Sequence, residues 1–90
     1  MLILSEIINL LKALGDPRRL EIIELLLQKK FCVGALAKRI GISESAVSQQ
    51  LKILREAGLV IGEKKGYYVH YRVQKKSLQE VAEYLNHLSC

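Results

Sequence analysis

Apolar residues recur every three or four positions over residues 2–14, while Ser5, Glu6, Asn9 and Lys12 gather on one narrow face. That period predicts a helix. Its apolar stripe is wider than a solvent-facing helix carries, so the helix is expected to serve both the core and a second copy of the chain. Gly15-Asp16-Pro17 then stops one helix and starts another. Glycine suits a C-cap, aspartate an N-cap, and proline the first helical position, where its missing N–H costs nothing. The second helix is expected to reach about Gln28 and to bury Leu20, Ile23, Leu26 and Leu27.

Residues 33–57 read as helix, tight turn, helix. Leu36, Ala37 and Ile40 form the first apolar stripe, Gly41 supplies the positive φ of the turn, and Ile42 plugs back into the core. Ser43 is the expected N-cap of the second helix, which buries Val47, Leu51 and Leu54. Gly58 ends that helix and the period changes to two. Val60–Lys64 and Tyr67–Val73 flank Lys65-Gly66, a hairpin tip, with Tyr67, Val69, Tyr71 and Val73 on one face and Tyr68, His70 and Arg72 on the other. A last helix over 77–90 has Ser77 as N-cap, Glu80 completing a capping box, and a stripe of Leu78, Val81, Ala82, Leu85 and Leu88. The architecture is therefore mainly α, about five helices plus a small two-stranded β-hairpin. All 90 residues fall in one domain.

Half of the residues are hydrophobic, a heavy load for so short a chain, and helices 2–14 and 77–90 are the expected pairing surfaces of a homodimer. Residues 38–76 hold nine Lys and Arg against three Glu, a net +6 in a chain whose total is +5. The positive field thus belongs to the C-terminal half and points to a polyanionic partner. No apolar run approaches a membrane span, and the first residues lack a basic region and a small-residue cleavage site. A cytoplasmic protein without a membrane partner is expected.

Chemistry concentrates in the helix after the turn. A rotation of 100° per residue sets Ser45, Ser48, Gln49 and Lys52 opposite the buried stripe, close to a helix N-terminus. Short hydroxyl and amide groups there suit the reading of base edges in a major groove. Lys38, Arg39, Ser43 and Arg55 around that helix, and Lys64, Lys65, His70 and Arg72 on the hairpin, are the candidate phosphate contacts. No phosphate-cradling glycine loop, carboxylate pair or nucleophile–base pair suggests an enzyme. The rival reading is a protein-interaction module of the same fold that binds no DNA, although such a surface more often presents aromatics or aliphatics.

These residues also carry a resemblance. Leu11-Lys12-Ala13-Leu14-Gly15-Asp16-Pro17-Arg18-Arg19-Leu20, the helix Ser43–Leu54 and the run Glu56-Ala57-Gly58-Leu59-Val60 resemble the ArsR/SmtB family of winged helix-turn-helix repressors over about residues 8–75. The resemblance implies a winged helix-turn-helix at 33–57 with its wing at 59–73. It further implies a homodimer paired through the first and last helices, a palindromic double-stranded DNA operator, and release by an inducer. This chain departs from the family's usual metal ligands. Cys32-Val33-Gly34 offers one thiol where two are needed, and Lys75 and Ser77 stand where Asp and His would begin the second site. No cofactor is therefore expected. Three readings of the remaining groups stay open: His87 and Cys90, three apart, form a four-ligand site across a dimer; Cys32 and Cys90 sense thiol oxidants; or Cys32 is a small buried hydrophobe and Cys90 a frayed end. In relatives that sense oxidants, the first cysteine lies inside the second helix, near Glu24 here.

Overall fold

A computed structural model describes residues 2–90; Met1, the first residue of the expected domain, lies outside them. Helices α1 (Leu4–Leu14) and α2 (Pro17–Gln28) precede a short strand β1 (Phe31–Cys32). Then come α3 (Val33–Ile40), α4 (Glu44–Glu56), β2 (Val60–Lys65), β3 (Tyr68–Val73) and α5 (Lys75–Ser89). The five helices and the helix–turn–helix stand where the hydrophobic period put them.

The α1–α2 corner is built from its own sequence. Asp16 Oδ2 accepts from the N–H groups of Arg18 and Arg19 at 3.0 and 3.1 Å, and Pro17 occupies the first turn of α2. The buried side of α2 differs from the expected one. Leu20 and Leu27 are 46 % and 42 % exposed, and Ile22 is buried beside Ile23 and Leu26. The stripe runs Arg19, Ile22, Ile23, Leu26, at spacings of three, one and three, and an inward-turned arginine at its first place disguises the phase.

Gly41 closes α3 at φ 84°, and the N–H groups of Gly41 and Ile42 both donate to Ala37 O. Ser43 Oγ accepts from Ala46 N–H at 3.0 Å and caps α4. Val47, Leu51 and Leu54 are fully buried, together with Leu36 of α3 and Leu59 just beyond α4. Ile42 packs against this core from a half-buried position.

The sheet has three strands, not two, in the antiparallel order β1-β3-β2. Phe31 pairs with Tyr71 and Cys32 with His70. A two-residue strand is too short to show a period, which is why the pattern concealed it. It anchors the root of the wing to the segment before α3. The hairpin turn also moves by one residue. Lys65 pairs with Tyr68, so Gly66-Tyr67 is the turn, and glycine at φ 63° followed by a residue of negative φ fits type II′.

At the start of α5 the helix begins at Lys75, before the expected cap. Ser77 is not an N-cap: its Oγ donates to Gly58 O at 2.6 Å, satisfying a carbonyl left over at the end of α4. Gln74 N–H donates to Leu59 O at 2.8 Å beside it. Val81 is the buried residue of α5, while Leu85 and Leu88 are 47 % and 62 % exposed. Leu4, Ile8 and Leu11 of α1, which contacts α5, are likewise exposed. These two helices therefore carry apolar surface that the chain itself leaves uncovered.

Ser77→Ala is expected to lower stability by about 1 kcal/mol, the worth of a hydrogen bond to a part-buried carbonyl. Glu80→Ala should change it by less than about 0.5 kcal/mol. Denaturant unfolding of both variants checks the pair, since a working capping box would make Glu80 the costly position.

Candidate nucleic-acid interface

The turn at Gly41 and the cap at Ser43 aim α4 outward. With Val47, Leu51 and Leu54 committed to the core, Ser45, Ser48, Gln49 and Lys52 are all exposed on the opposite face. Ser43 is exposed too, its oxygen occupied by Ala46 N–H. Lys38 and Arg39 close α3 from the exposed side of its last turn, and Arg55 is exposed in the last turn of α4. The structure thus brings four polar side chains to one helix face with basic groups before and after it.

The hairpin residues divide into two groups. Lys64 and Lys65 lie exposed beside the turn and make no ion pair among the described residues. Tyr67 at the turn is fully exposed. Arg72 and His70 sit instead at the wing's root. Arg72 Nε lies 3.4 Å from Glu63 Oε1, which Lys30 Nζ also approaches at 3.1 Å. His70 is half-buried between Cys32 and Glu63 on the neighbouring strands, its Nδ1 enclosed without a hydrogen-bond partner among the described residues. The Lys30 ammonium, with the Arg72 guanidinium beside it, holds the Glu63 carboxyl below its ordinary range.

Three further residues act here that the sequence pattern did not single out. Gln50 shares the inward side of α4 and accepts from Arg19 Nη1 at 3.0 Å. A polar residue beside Val47, Leu51 and Leu54 on a buried stripe was the available signal. Lys30 and Glu63, 33 positions apart, meet only through the sheet.

Cys32 is half-buried at the start of α3 and Cys90 is exposed at the end of α5, both as free thiols. His87 and Cys90 lie one turn apart on the exposed end of α5, and His87 borders a cavity of about 300 Å³ with Leu2, Ile7 and Tyr84. Among the described residues, no three His, Cys, Asp or Glu side chains converge as a metal cage would require. Nor is any helix among them long and apolar enough to cross a membrane.

The Glu63 cluster gives a pH signature. A lowered carboxyl contributes stability that is present above its ordinary value of 4.5 and is lost as pH falls through the lowered one. Wild type is expected to melt slightly above Glu63→Gln at neutral pH, with the gap closing below pH 4.5. Parallel thermal melts from pH 7 to pH 3 would measure it.

Comparison with known proteins fits this geometry. Residues 16–61 match the family described as bacterial regulatory protein, arsR family. The chain is 37 % identical to the transcriptional activator HlyU of Vibrio cholerae, covering 96 % of this chain and 80 % of that protein. The solved HlyU structure superposes with a TM-score of 0.78 over 96 % of this chain and 94 % of that one. A biofilm growth-associated repressor of Xylella fastidiosa is 35 % identical over 96 % of this chain and 75 % of its own length. A homodimeric winged helix-turn-helix DNA-binding domain from Mycobacterium bovis, described as a possible ArsR-family regulator, is 30 % identical with a TM-score of 0.77, covering 96 % of this chain and 77 % of that one. The HlyU match, over 96 % of this chain, takes in the α1–α2 corner, the helix–turn–helix and the wing alike, and the chain is a member of the ArsR family of bacterial regulatory proteins.

Proposed function

We propose that this chain is a sequence-specific, double-stranded-DNA-binding homodimer that represses transcription from a palindromic operator and is released by an inducer. One observation carries the reading. Ser45, Ser48, Gln49 and Lys52 form an exposed polar face on a capped helix, with Lys38 and Arg39 exposed at the end of the helix before it and Lys64 and Lys65 exposed beside the wing's turn. Hydroxyl and amide groups read base edges, and lysines beside them hold phosphates and fix the register. Arg55 and the capped Ser43 extend the phosphate track. Arg72 and His70 act more through the shape of the wing, because Glu63 already engages Arg72.

The apolar faces of α1 and α5 support the dimer, and two-fold pairing of identical reading helices calls for an operator with matching symmetry. Repression is the direction we propose; HlyU is named an activator and the Xylella relative a repressor, so a reporter assay decides it. The protein works in the cytoplasm, where its DNA is. For the inducer, Cys32 and Cys90 are the groups to test, by operator release with metal ions and thiol oxidants in Cys32→Ser and Cys90→Ser variants.

The proposal predicts two separable effects on DNA binding. Gln49→Ala and Ser48→Ala should each cost roughly 1–3 kcal/mol on the preferred duplex and little on random DNA. Lys64→Ala and Lys65→Ala should weaken binding to both and flatten the salt dependence by roughly 0.9 per lost phosphate contact. A salt titration with selected and random duplexes checks this; lysine variants that alter specificity while Gln49 proves neutral would contradict it. For the dimer, Ile8→Glu should convert a dimer at micromolar concentration into a folded monomer by sedimentation, since the side chain is already part-exposed within one chain.

A further inference from the structure

We infer that Arg19, acting through Gln50, is the positioning residue that sets the angle between α1 and α4, and so the half-site spacing the dimer accepts. The guanidinium reaches three acceptors at once. Nε donates to Ala13 O at 2.7 Å, Nη2 to Lys12 O at 3.3 Å, and Nη1 to Gln50 Oε1 at 3.0 Å. The first two are carbonyls of the last turn of α1, at the negative end of its dipole; Pro17 has no N–H to give Ala13 O, and Lys12 O also accepts from the Gly15 N–H at 3.3 Å. The third acceptor lies midway along the reading helix. Arg19 is itself fixed, since its backbone N–H donates to Asp16 Oδ2 at 3.1 Å.

Among the described residues, no other side chain of α4 makes a hydrogen bond to another element. Val47, Leu51 and Leu54 hold the helix by burial, which is strong but indifferent to small rotations or slides. The planar guanidinium fork fixes direction as well as distance, and a lysine could not span the three acceptors. The outer side of α1 carries Leu4, Ile8 and Leu11 for pairing with the second copy. Any change in the α1–α4 angle is therefore applied twice, with opposite sense, to the two reading helices of a symmetric dimer. Gln50 contacts Arg19 and is half-buried, so it acts on base reading by Gln49 and Lys52 without taking their place.

This inference rests on the two-fold DNA-binding reading proposed above, and the test separates the two. The probe is a palindromic duplex selected by the wild-type protein from a random pool, with companion duplexes whose central spacer is lengthened or shortened by one or two base pairs. Wild type is expected to prefer its own spacer at least tenfold. Gln50→Ala and Arg19→Lys should reduce that preference to threefold or less, with affinity for random duplex within twofold of wild type. Gln50→Glu, which restores an acceptor for Arg19, should recover the preference even if its added charge weakens binding to every duplex. Should Arg19→Lys fail to fold, Gln50→Ala carries the comparison, its fold checked by thermal melting. A wild type indifferent to spacing overturns the two-fold reading and the inference with it. A selective wild type matched by an equally selective Gln50→Ala overturns the inference alone.

Discussion

The polar face proposed to read DNA depends on how one helix is seated. α4 drives Val47, Leu51 and Leu54 into a core that also receives Leu36, Ile22, Ile23, Leu26, Leu59 and Val73, so all the neighbouring elements close on a single apolar edge. Fully burying side chains of this size stabilises by roughly 1.5–3 kcal/mol each. That anchoring leaves the opposite edge of α4 with no structural task. Serines, a glutamine and a lysine can occupy it because the fold does not need them.

Burial alone would leave α4 well held but loosely aimed. Two sets of hydrogen bonds supply direction, and they lead to the two helices with uncovered apolar faces. At the middle of α4, Arg19 joins Gln50 to the end of α1. At its end, Ser77 and Gln74 join Gly58 and Leu59 to the beginning of α5. The proposed pairing and reading surfaces are thus connected by short polar contacts as well as by a shared core. The wing is secured separately, by β1 on its inner edge and the Lys30–Glu63–Arg72 cluster at its root, leaving Lys64 and Lys65 exposed near the turn.

Much of this was legible in the sequence because it is local. The Asp16 and Ser43 caps, the glycine turn and the stripe of α4 depend on residues within one or two turns of each other, and each appeared where its pattern put it. The outward polar face of α4 followed from the same helical period. What escaped depends on contacts between distant segments. Ser77 turned from capping α5 to the Gly58 carbonyl, 19 positions away. β1 exists only because β3 pairs with it, and the α2 stripe shifted because Arg19 points inward toward Gln50, 31 positions on. The hairpin turn moved by a single residue because the strand register, not the position of the glycine alone, decides which two residues form it.

The central claim is that α4 faces DNA while α1 and α5 face a second copy of the chain. Amide chemical-shift mapping by NMR, on adding a duplex selected by the protein, tests it most directly. The largest shifts are expected over residues 43–52 and at Lys64 and Lys65, with the exposed residues of α1 and α5 unmoved. Shifts concentrated on Leu4, Ile8, Leu85 and Leu88, with Ser45, Ser48 and Gln49 silent, would contradict it.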